Sequence, residues 1–487
     1  MIKTHPIYRE SLALLTDLYQ LTMAYAYWKN GMENVEAVFH LFFRKHPFKG
    51  GYAVCAGLEN AIEFFRMFQY SSSDLDYLST LTGTDDQPLF SREFLDYLAK
   101  FKFTCDVDAI PEGSVVFPQE PLIRVQGPII QCQLLESPLL NLINFPTLIA
   151  TKAARICYAA RGEPVMEFGM RRAHGIDGAI TASRASYVGG CHSTSNVLAG
   201  KLYGIPVKGT HAHSWVMAFE HEQESFQAFA DALPGNCVFL VDTYDTIEGI
   251  KKAIEVGKTL KKRGQSVWGI RLDSGDLNYL SIVARKMLDD AGFPEAQIFA
   301  SNELDEELIS DLKRQGAKIG VWGVGTNLAT AKGQSALDGV YKLSAIRKPN
   351  QKWEYKLKLS EQIRKVTNPG ILQVRRFQEN DRFVADAIFE TQMENPEQFT
   401  IVDPFDATRV KAIPKNCEYE DLLVPIFRNG NLVYPIPSLE AVRKHTYQDL
   451  SCFHESIKRF LNPHQYPVGL EKKLYELKID LIKKIRK

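Results

Sequence analysis

Between Leu148 and Ile346, six short runs rich in β-branched and aromatic residues recur. They are Val165-Met-Glu-Phe, Ile205-Pro-Val-Lys-Gly, Val238-Phe-Leu-Val-Asp, Val267-Trp-Gly-Ile-Arg, Ile298-Phe-Ala-Ser and Ile319-Gly-Val-Trp-Gly-Val. Each is followed by polar residues and then by a helical pattern. Parallel strands need long crossovers, usually helices, so this alternation restricts the segment to a parallel α/β arrangement. Six units in series predict a closed or nearly closed barrel, with an open sheet as the alternative. The clearest helix follows Asp242: Asp245 can cap it, Glu248 sits three residues on, and Ile247, Ile250 and Ile254 form an inward stripe before Gly264.

In either architecture the ligand lies at the carboxyl ends of the strands. The residues there read Glu167-Phe-Gly-Met-Arg-Arg, Gly209-Thr-His-Ala-His-Ser-Trp, Asp242-Thr-Tyr-Asp, Arg271-Leu-Asp-Ser-Gly-Asp, Ser301-Asn-Glu and Gly323-Val-Gly-Thr-Asn. Nearly every chemically capable group of the segment falls where such a fold builds its site.

The flanks differ. Residues 1–147 mix a helix from Ser11 to Trp28, a β-rich run from Val35 to Phe43 and short antiparallel strands around Gly113 and Pro121, an N-terminal α+β domain. Residues 148–346 are expected to form the α/β barrel, and 347–487, a charged stretch followed by strand-like and helical pieces, a further segment. A chain of 487 residues is too long for one core, which accords with several domains.

Lys plus Arg and Asp plus Glu both number 58, so no net field draws the molecule to nucleic acid or to an anionic membrane. The Lys-rich stretch ending at Lys487 reads as a solvated helix face. An anionic ligand must therefore be held by local groups. The eight cysteines are scattered without a CxxC pair and read as free thiols in a reducing compartment. Met1-Ile-Lys-Thr-His-Pro has no apolar core of a signal peptide, and Pro138 to Ala150 is too short and too broken to span a bilayer. A cytoplasmic enzyme without nucleic-acid or membrane partners is the expectation.

Gly323-Val-Gly-Thr-Asn-Leu joins a strand to a helical run; Gly323 and Gly325 let backbone approach a phosphate and Thr326 adds a hydroxyl donor. A tight strand-to-helix turn is the plainer reading. Arg271 offers a planar fork for a carboxylate or phosphate. Asp273 and Asp276 suit ribose hydroxyls or a magnesium ion, or alternatively a structural ion pair with an Asx turn. Asp242 and Asp245 suit the same ligands, though Asp245 equally serves as a helix cap. At the first strand end, Arg171 or Arg172 can meet an anion, or both can be solvated.

His211 and His213 alternate, which permits a His-x-His metal pair of a barrel hydrolase, a phosphoryl-carrying imidazole, or a structural histidine. Histidine is absent from the later strand ends, with none between His221 and His445, so the metal pair is the weaker option.

In order, Thr16-Asp-Leu-Tyr-Gln-Leu-Thr-Met, Glu167-Phe-Gly-Met-Arg-Arg, Ser195-Asn-Val-Leu-Ala-Gly, Gly209-Thr-His-Ala-His-Ser, Arg271-Leu-Asp-Ser-Gly-Asp, Gly323-Val-Gly-Thr and Gly339-Val-Tyr-Lys-Leu make the chain resemble the nicotinate phosphoribosyltransferases. The resemblance covers most of the chain and is least diagnostic over the last hundred or so residues. It implies an irregular parallel α/β barrel with an N-terminal α+β domain and a C-terminal extension, the barrel being the catalytic domain and the extension, 347–487, packing on the N-terminal domain, and a homodimer with shared sites. It implies ATP-coupled formation of nicotinate mononucleotide from nicotinate and 5-phosphoribosyl 1-diphosphate, with Mg2+ on the leaving diphosphate, in NAD salvage.

By the same resemblance, His213 is the residue that ATP phosphorylates, acting with Arg271 and Asp273. Thr210 and Arg271 contact nicotinate, and Tyr19 stacks on the pyridine ring in a neighbouring subunit. Gly323, Gly325 and Thr326 hold the phosphoribosyl diphosphate. Phe168, Arg171 and Asp276 complete the candidate substrate contacts, while His211 has no assignment. Gly189-Gly190-Cys191 and Gly209-Thr210 look like the acid-specific branch rather than a nicotinamide-specific relative. A non-catalytic binding protein on this fold is disfavoured because His213, Arg271, Asp273 and Thr326 occur together.

Overall fold

The computed structural model describes residues 12–265 and 267–487. Ser11, where the first helix was expected to begin, and the Met1–Pro6 segment lie outside them; the helix itself is Leu18–Lys29. The chain divides into two units, 149–335 and a second made of the segments before and after it.

The 149–335 unit carries a six-stranded parallel sheet. In chain order its strands are β1 (Val165–Glu167), β2 (Ser193–Thr194), β3 (Val238–Leu240), β4 (Gly269–Leu272), β5 (Gln297–Ala300) and β6 (Val321–Val324), lying side by side as β2-β1-β6-β5-β4-β3. Among the described residues β2 and β3 do not pair, so the sheet is open, the alternative to the closed or nearly closed barrel expected from the six units. It is nevertheless curled. Met166 of β1 and Val238 of β3 share one apolar cluster with Phe299 and Val321, although four strand spacings, roughly 19 Å in a flat sheet, separate their strands.

The Ile205 run lies at this gap, and its Pro206 has no N–H to extend a ladder toward β2. It makes only a bridge to β2, in which Thr194 donates to the Pro206 carbonyl at 3.0 Å and Lys208 to that of Thr194 at 3.0 Å. Beyond it, side chains replace the missing ladder. Asn236 Nδ2 donates to the Gly209 carbonyl at 3.3 Å, Leu240 N–H to His211 Nε2 at 3.3 Å, and His213 Nδ1 lies 3.1 Å from Thr243 Oγ1.

The helices after the strands follow their sequence signals. Asp245 accepts from Glu248 N at 2.9 Å at the start of the helix Thr246–Lys262, whose buried stripe includes Ile250, Ile254 and Leu260. Asp276 and Asp305 cap Leu277–Asp290 and Glu306–Gln315 in the same way. These caps hold each helix start close to a strand end, which fixes the loops of the site.

The second unit, 12–148 with 336–487, is built on two large sheets and a two-stranded one, Ala53–Val54 with Val115–Val116. In the seven-stranded sheet, Glu36–Phe43 lies between Gly339–Arg347 and Ile123–Pro128, antiparallel to both. Gly339–Arg347 therefore belongs here and not to the middle segment, whose expected end at 346 moves back to 335. Its register with Glu36–Phe43 along its whole length explains the assignment.

The six-stranded sheet is made only from the C-terminal part and includes Leu372–Glu379 and Arg382–Glu390. At its centre Arg376 is fully buried, donating to Asp386 at 2.7 Å and to the Val115 carbonyl at 2.8 Å, with Asp449 at 3.4 Å. Tyr466 adds a 2.8 Å bond to Asp386. A buried charge is tolerable only when paired and hydrogen-bonded in this way. The network joins the early Val115 strand to the C-terminal segment.

All eight cysteines are free thiols. Among the described residues no helix is long and apolar enough to cross a membrane.

Candidate active site

Strand register decides which side chains face the inside of the curled sheet. Leu240, Arg271, Phe299 and Val321 stand abreast on β3, β4, β5 and β6. Side chains alternate along a strand, so two residues further on the same face presents Asp242, Asp273, Ser301 and Gly323. Gly323 is paired with Met166 of β1, and Phe168 is two residues beyond that. The polar groups thus stand directly above an apolar floor of Met166, Val238, Phe299 and Val321, against which Phe168 packs.

Arg271 is largely buried and donates through Nη1 to Thr210 Oγ1, while its Nε is buried without a partner. Burial pulls its pKa down, opposed by Asp273 and Asp242 and reinforced by the like charge of Arg171. Asp242 Oδ2 accepts from Asp273 N at 2.7 Å and from Ser274 Oγ at 2.7 Å, while its Oδ1 is buried without a partner. Ser301 Oγ donates to Asp273 Oδ1. The other Asp273 oxygen lies 3.8 Å from His213 Nε2. His213 opens the short helix His213–Met217 and is half-exposed, its ring held between Thr243 on one nitrogen and Asp273 toward the other.

Glu167 is scaffold. Its buried carboxylate accepts from Thr194 Oγ1 at 2.6 Å, from Ser183 Oγ at 2.9 Å and from Gly169 N, which pins the Phe168–Gly169 turn. Burial raises its pKa against the lowering effect of these donors. Gly323 owes its identity to the same turn, because a Cβ there would come within 2.7 Å of the Phe168 ring. Gly325 precedes the short helix Thr326–Ala329, so Thr326 stands at a helix start, and Asn327 anchors that helix to the Glu303 carbonyl at 2.8 Å. Arg171 and Arg172 are exposed on the turn Met170–Arg172.

The structure thus brings Thr210 into contact with Arg271, and His213 toward Asp273. Asp276 and Asp245 spend a carboxylate oxygen each on helix caps. Tyr19 lies in the other unit, 48% exposed on Leu18–Lys29, with Leu15, Leu18 and Met23 also exposed. Sequence reasoning missed Thr243, for which it held no signal, and the scaffold role of Glu167. The pairing of Asp242 with Asp273 was legible in strand alternation.

The His-x-His metal pair is not formed. His211 is buried with Nε2 on Leu240 N–H and Nδ1 facing the Ala212 carbonyl, so neither nitrogen points to a shared ion. No three His, Cys, Asp or Glu side chains among the described residues are grouped to hold a metal.

Comparison with known proteins converges on one family. Residues 14–144 match the nicotinate phosphoribosyltransferase (NAPRTase) N-terminal domain, 164–382 the nicotinate phosphoribosyltransferase (NAPRTase) family, and 372–478 the nicotinate phosphoribosyltransferase C-terminal domain. The nicotinate phosphoribosyltransferase of Bacillus subtilis is 43% identical over 482 residues, 98% of this chain and 96% of the relative. That of Homo sapiens is 35% identical over 522 residues, covering 95% of each. The solved structure of human nicotinic acid phosphoribosyltransferase matches with a TM-score of 0.83 at 32% identity, over 96% of this chain and 99% of that one. A nicotinate-nucleotide pyrophosphorylase from Pyrococcus furiosus shares the fold, with a TM-score of 0.69 at 21% identity over 92% of this chain and 98% of that one. With every segment matched in order and full-length relatives well above 30% identity, the chain belongs to the nicotinate phosphoribosyltransferase family of enzymes.

Proposed function

We propose that the chain forms nicotinate mononucleotide and diphosphate from nicotinate and 5-phosphoribosyl 1-diphosphate, coupled to ATP hydrolysis through phosphorylation of His213. The observation that carries the choice of nicotinate is Arg271. A buried guanidinium with a free Nε, held by Thr210 and flanked by Arg171, favours an anionic ring substituent over the neutral amide of nicotinamide. The pyridine nitrogen attacks the anomeric carbon of the ribose as diphosphate departs. A ring fixed by Arg271 and Thr210, with Phe168 nearby, arrives with much of its orientational entropy already lost. Gly325 and Thr326 at a helix start suit the phosphoribosyl phosphates.

ATP acts as a second substrate. A His213 ring nitrogen attacks the γ-phosphorus, the N–P bond forms as the bond to the bridging oxygen breaks and ADP leaves, and water later cleaves the N–P bond, releasing phosphate and restoring the imidazole. Thr243 and Asp273 orient the ring for this attack.

Asp242 and Asp273 fit a magnesium ion by chemistry, since both are carboxylates and Asp242 Oδ1 is buried without a partner. When bound, the ion neutralises the leaving diphosphate. The reading extends to a cytoplasmic place in NAD salvage, which the eight free thiols suit, and to a homodimer in which Tyr19 serves a neighbouring subunit, which its exposure beside Leu18 and Met23 suits.

The test is His213→Ala. ATP hydrolysis should vanish while some ATP-independent nucleotide synthesis survives. A variant that hydrolyses ATP at the wild-type rate would remove His213 from the coupling step.

A further inference from the structure

His211 has no part in the chemistry above, yet it is buried at the centre of the segment that carries Thr210 and His213. Its Nε2 accepts the Leu240 N–H at 3.3 Å and its Nδ1 lies 3.4 Å from the Ala212 carbonyl. An accepting Nε2 requires the proton on Nδ1, so both contacts call for the same neutral tautomer. Burial favours that form, holding the pKa down to about 4 against the opposing effect of the Ala212 carbonyl, with the Arg271 charge adding to the lowering. The ring packs on Phe229 and Phe226, with centroids at 4.9 and 6.2 Å.

The Leu240 N–H has no other use. Val241 N–H donates to the Arg271 carbonyl of β4, and the Cys237 carbonyl accepts from Trp268. On a parallel strand the alternate residue points the other way, so Leu240 N–H faces the open edge of the sheet. A buried donor there needs a partner, and His211 provides it. It is also the middle of the three side-chain contacts across the gap, between Asn236 with Gly209 and His213 with Thr243.

We propose that His211 is a positioning residue that clasps the 209–213 segment to β3 and thereby sets where the His213 ring stands relative to Thr243 and Asp273. The inference rests on the reading of His213 as phosphoryl acceptor. Arg271 stands on β4, outside the clasped segment, and only its bond to Thr210 reaches into it, so loss of His211 falls mainly on the ATP-coupled turnover and in smaller measure on nicotinate binding.

The experiment compares His211→Leu, which keeps the apolar contacts and removes both nitrogens, with His211→Gln, whose carbonyl can accept from Leu240. The ATP-coupled kcat, the nicotinate KM and the 15N shifts of the His213 ring are measured in each. His211→Leu should lower the coupled kcat roughly 10- to 100-fold, with KM within about threefold of wild type, because small misplacements cost that much. Its His213 nitrogens should average between tautomers, and His211→Gln should restore most of the rate and a single tautomer. Wild-type kcat with unchanged shifts in His211→Leu would overturn the clasp. So would a combined loss of kcat and KM that Gln does not recover, which would mark a packing residue. If ATP turnover proves independent of His213, the 15N shifts still decide: unchanged shifts overturn the clasp, and averaged shifts uphold it.

Discussion

On the proposed function, substrate choice turns on Arg271. Lysine at this position would keep the charge but lose the planar fork and the Nη1 bond to Thr210. A charged hydrogen bond is worth about 1.5–3 kcal/mol, so Arg271→Lys should raise the nicotinate KM about 10- to 100-fold and narrow the preference over nicotinamide. Steady-state kinetics with both pyridines check this, and an unchanged KM would place the carboxylate elsewhere. Arg271 and Asp273 were legible because strand alternation sets them on one face, one above the other. Thr243 was not, because its hydroxyl acts across the sheet gap on a residue thirty positions earlier, and no local pattern encodes that contact.

At the scale of elements, the helix Thr246–Lys262 must approach β3 closely for Asp242 and Thr243 to reach the site. Gly249 permits this, because a Cβ there would come within 2.0 Å of the Val241 carbonyl. Alanine gains about 1 kcal/mol in helix propensity, but a backbone collision this close outweighs it. Gly249→Ala should lose about 1–3 kcal/mol by denaturant melting. Gly178, inside the helix Gly175–Val188 with open space around it, makes the control; Gly178→Ala should gain about 0.5–1 kcal/mol. Equal effects at the two sites would mean that the close approach is not limiting. The strand-helix alternation was plain in sequence, and five of its six runs formed strands of the parallel sheet. The run at Ile205 makes only a bridge to β2, where Pro206 has no N–H to extend the ladder, and among the described residues it forms no strand between β2 and β3. The strand Gly339–Arg347 was misplaced because its partner, Glu36–Phe43, lies some three hundred residues away.

The whole molecule carries an acid sensitivity in its buried histidines. His40, His46 and His211 have pKa values held down to about 3, 4 and 4 by burial, against an ordinary 6.5. Between these values and 6.5 the unfolded chain binds protons that the folded one does not, so the stability they contribute is complete above pH 6.5 and is lost progressively toward pH 3–4. Glu167 and Glu120, with raised pKa values, work in the opposite direction. Denaturant midpoints should fall from pH 7 to 4, and His211→Gln should flatten the slope by one histidine's share. A midpoint that rises on acidification would give the carboxylates the larger weight. The joining of the N- and C-terminal segments through Arg376 and its partners lay beyond sequence reading, since three of the four side chains come from the least diagnostic part of the chain. The central claim is tested most directly by incubating the purified protein with 5-phosphoribosyl 1-diphosphate, magnesium and either nicotinate or nicotinamide, with and without ATP, and identifying the product by mass. Nicotinate mononucleotide, formed faster with ATP, is the predicted result; product from nicotinamide alone, or from neither pyridine, would contradict it.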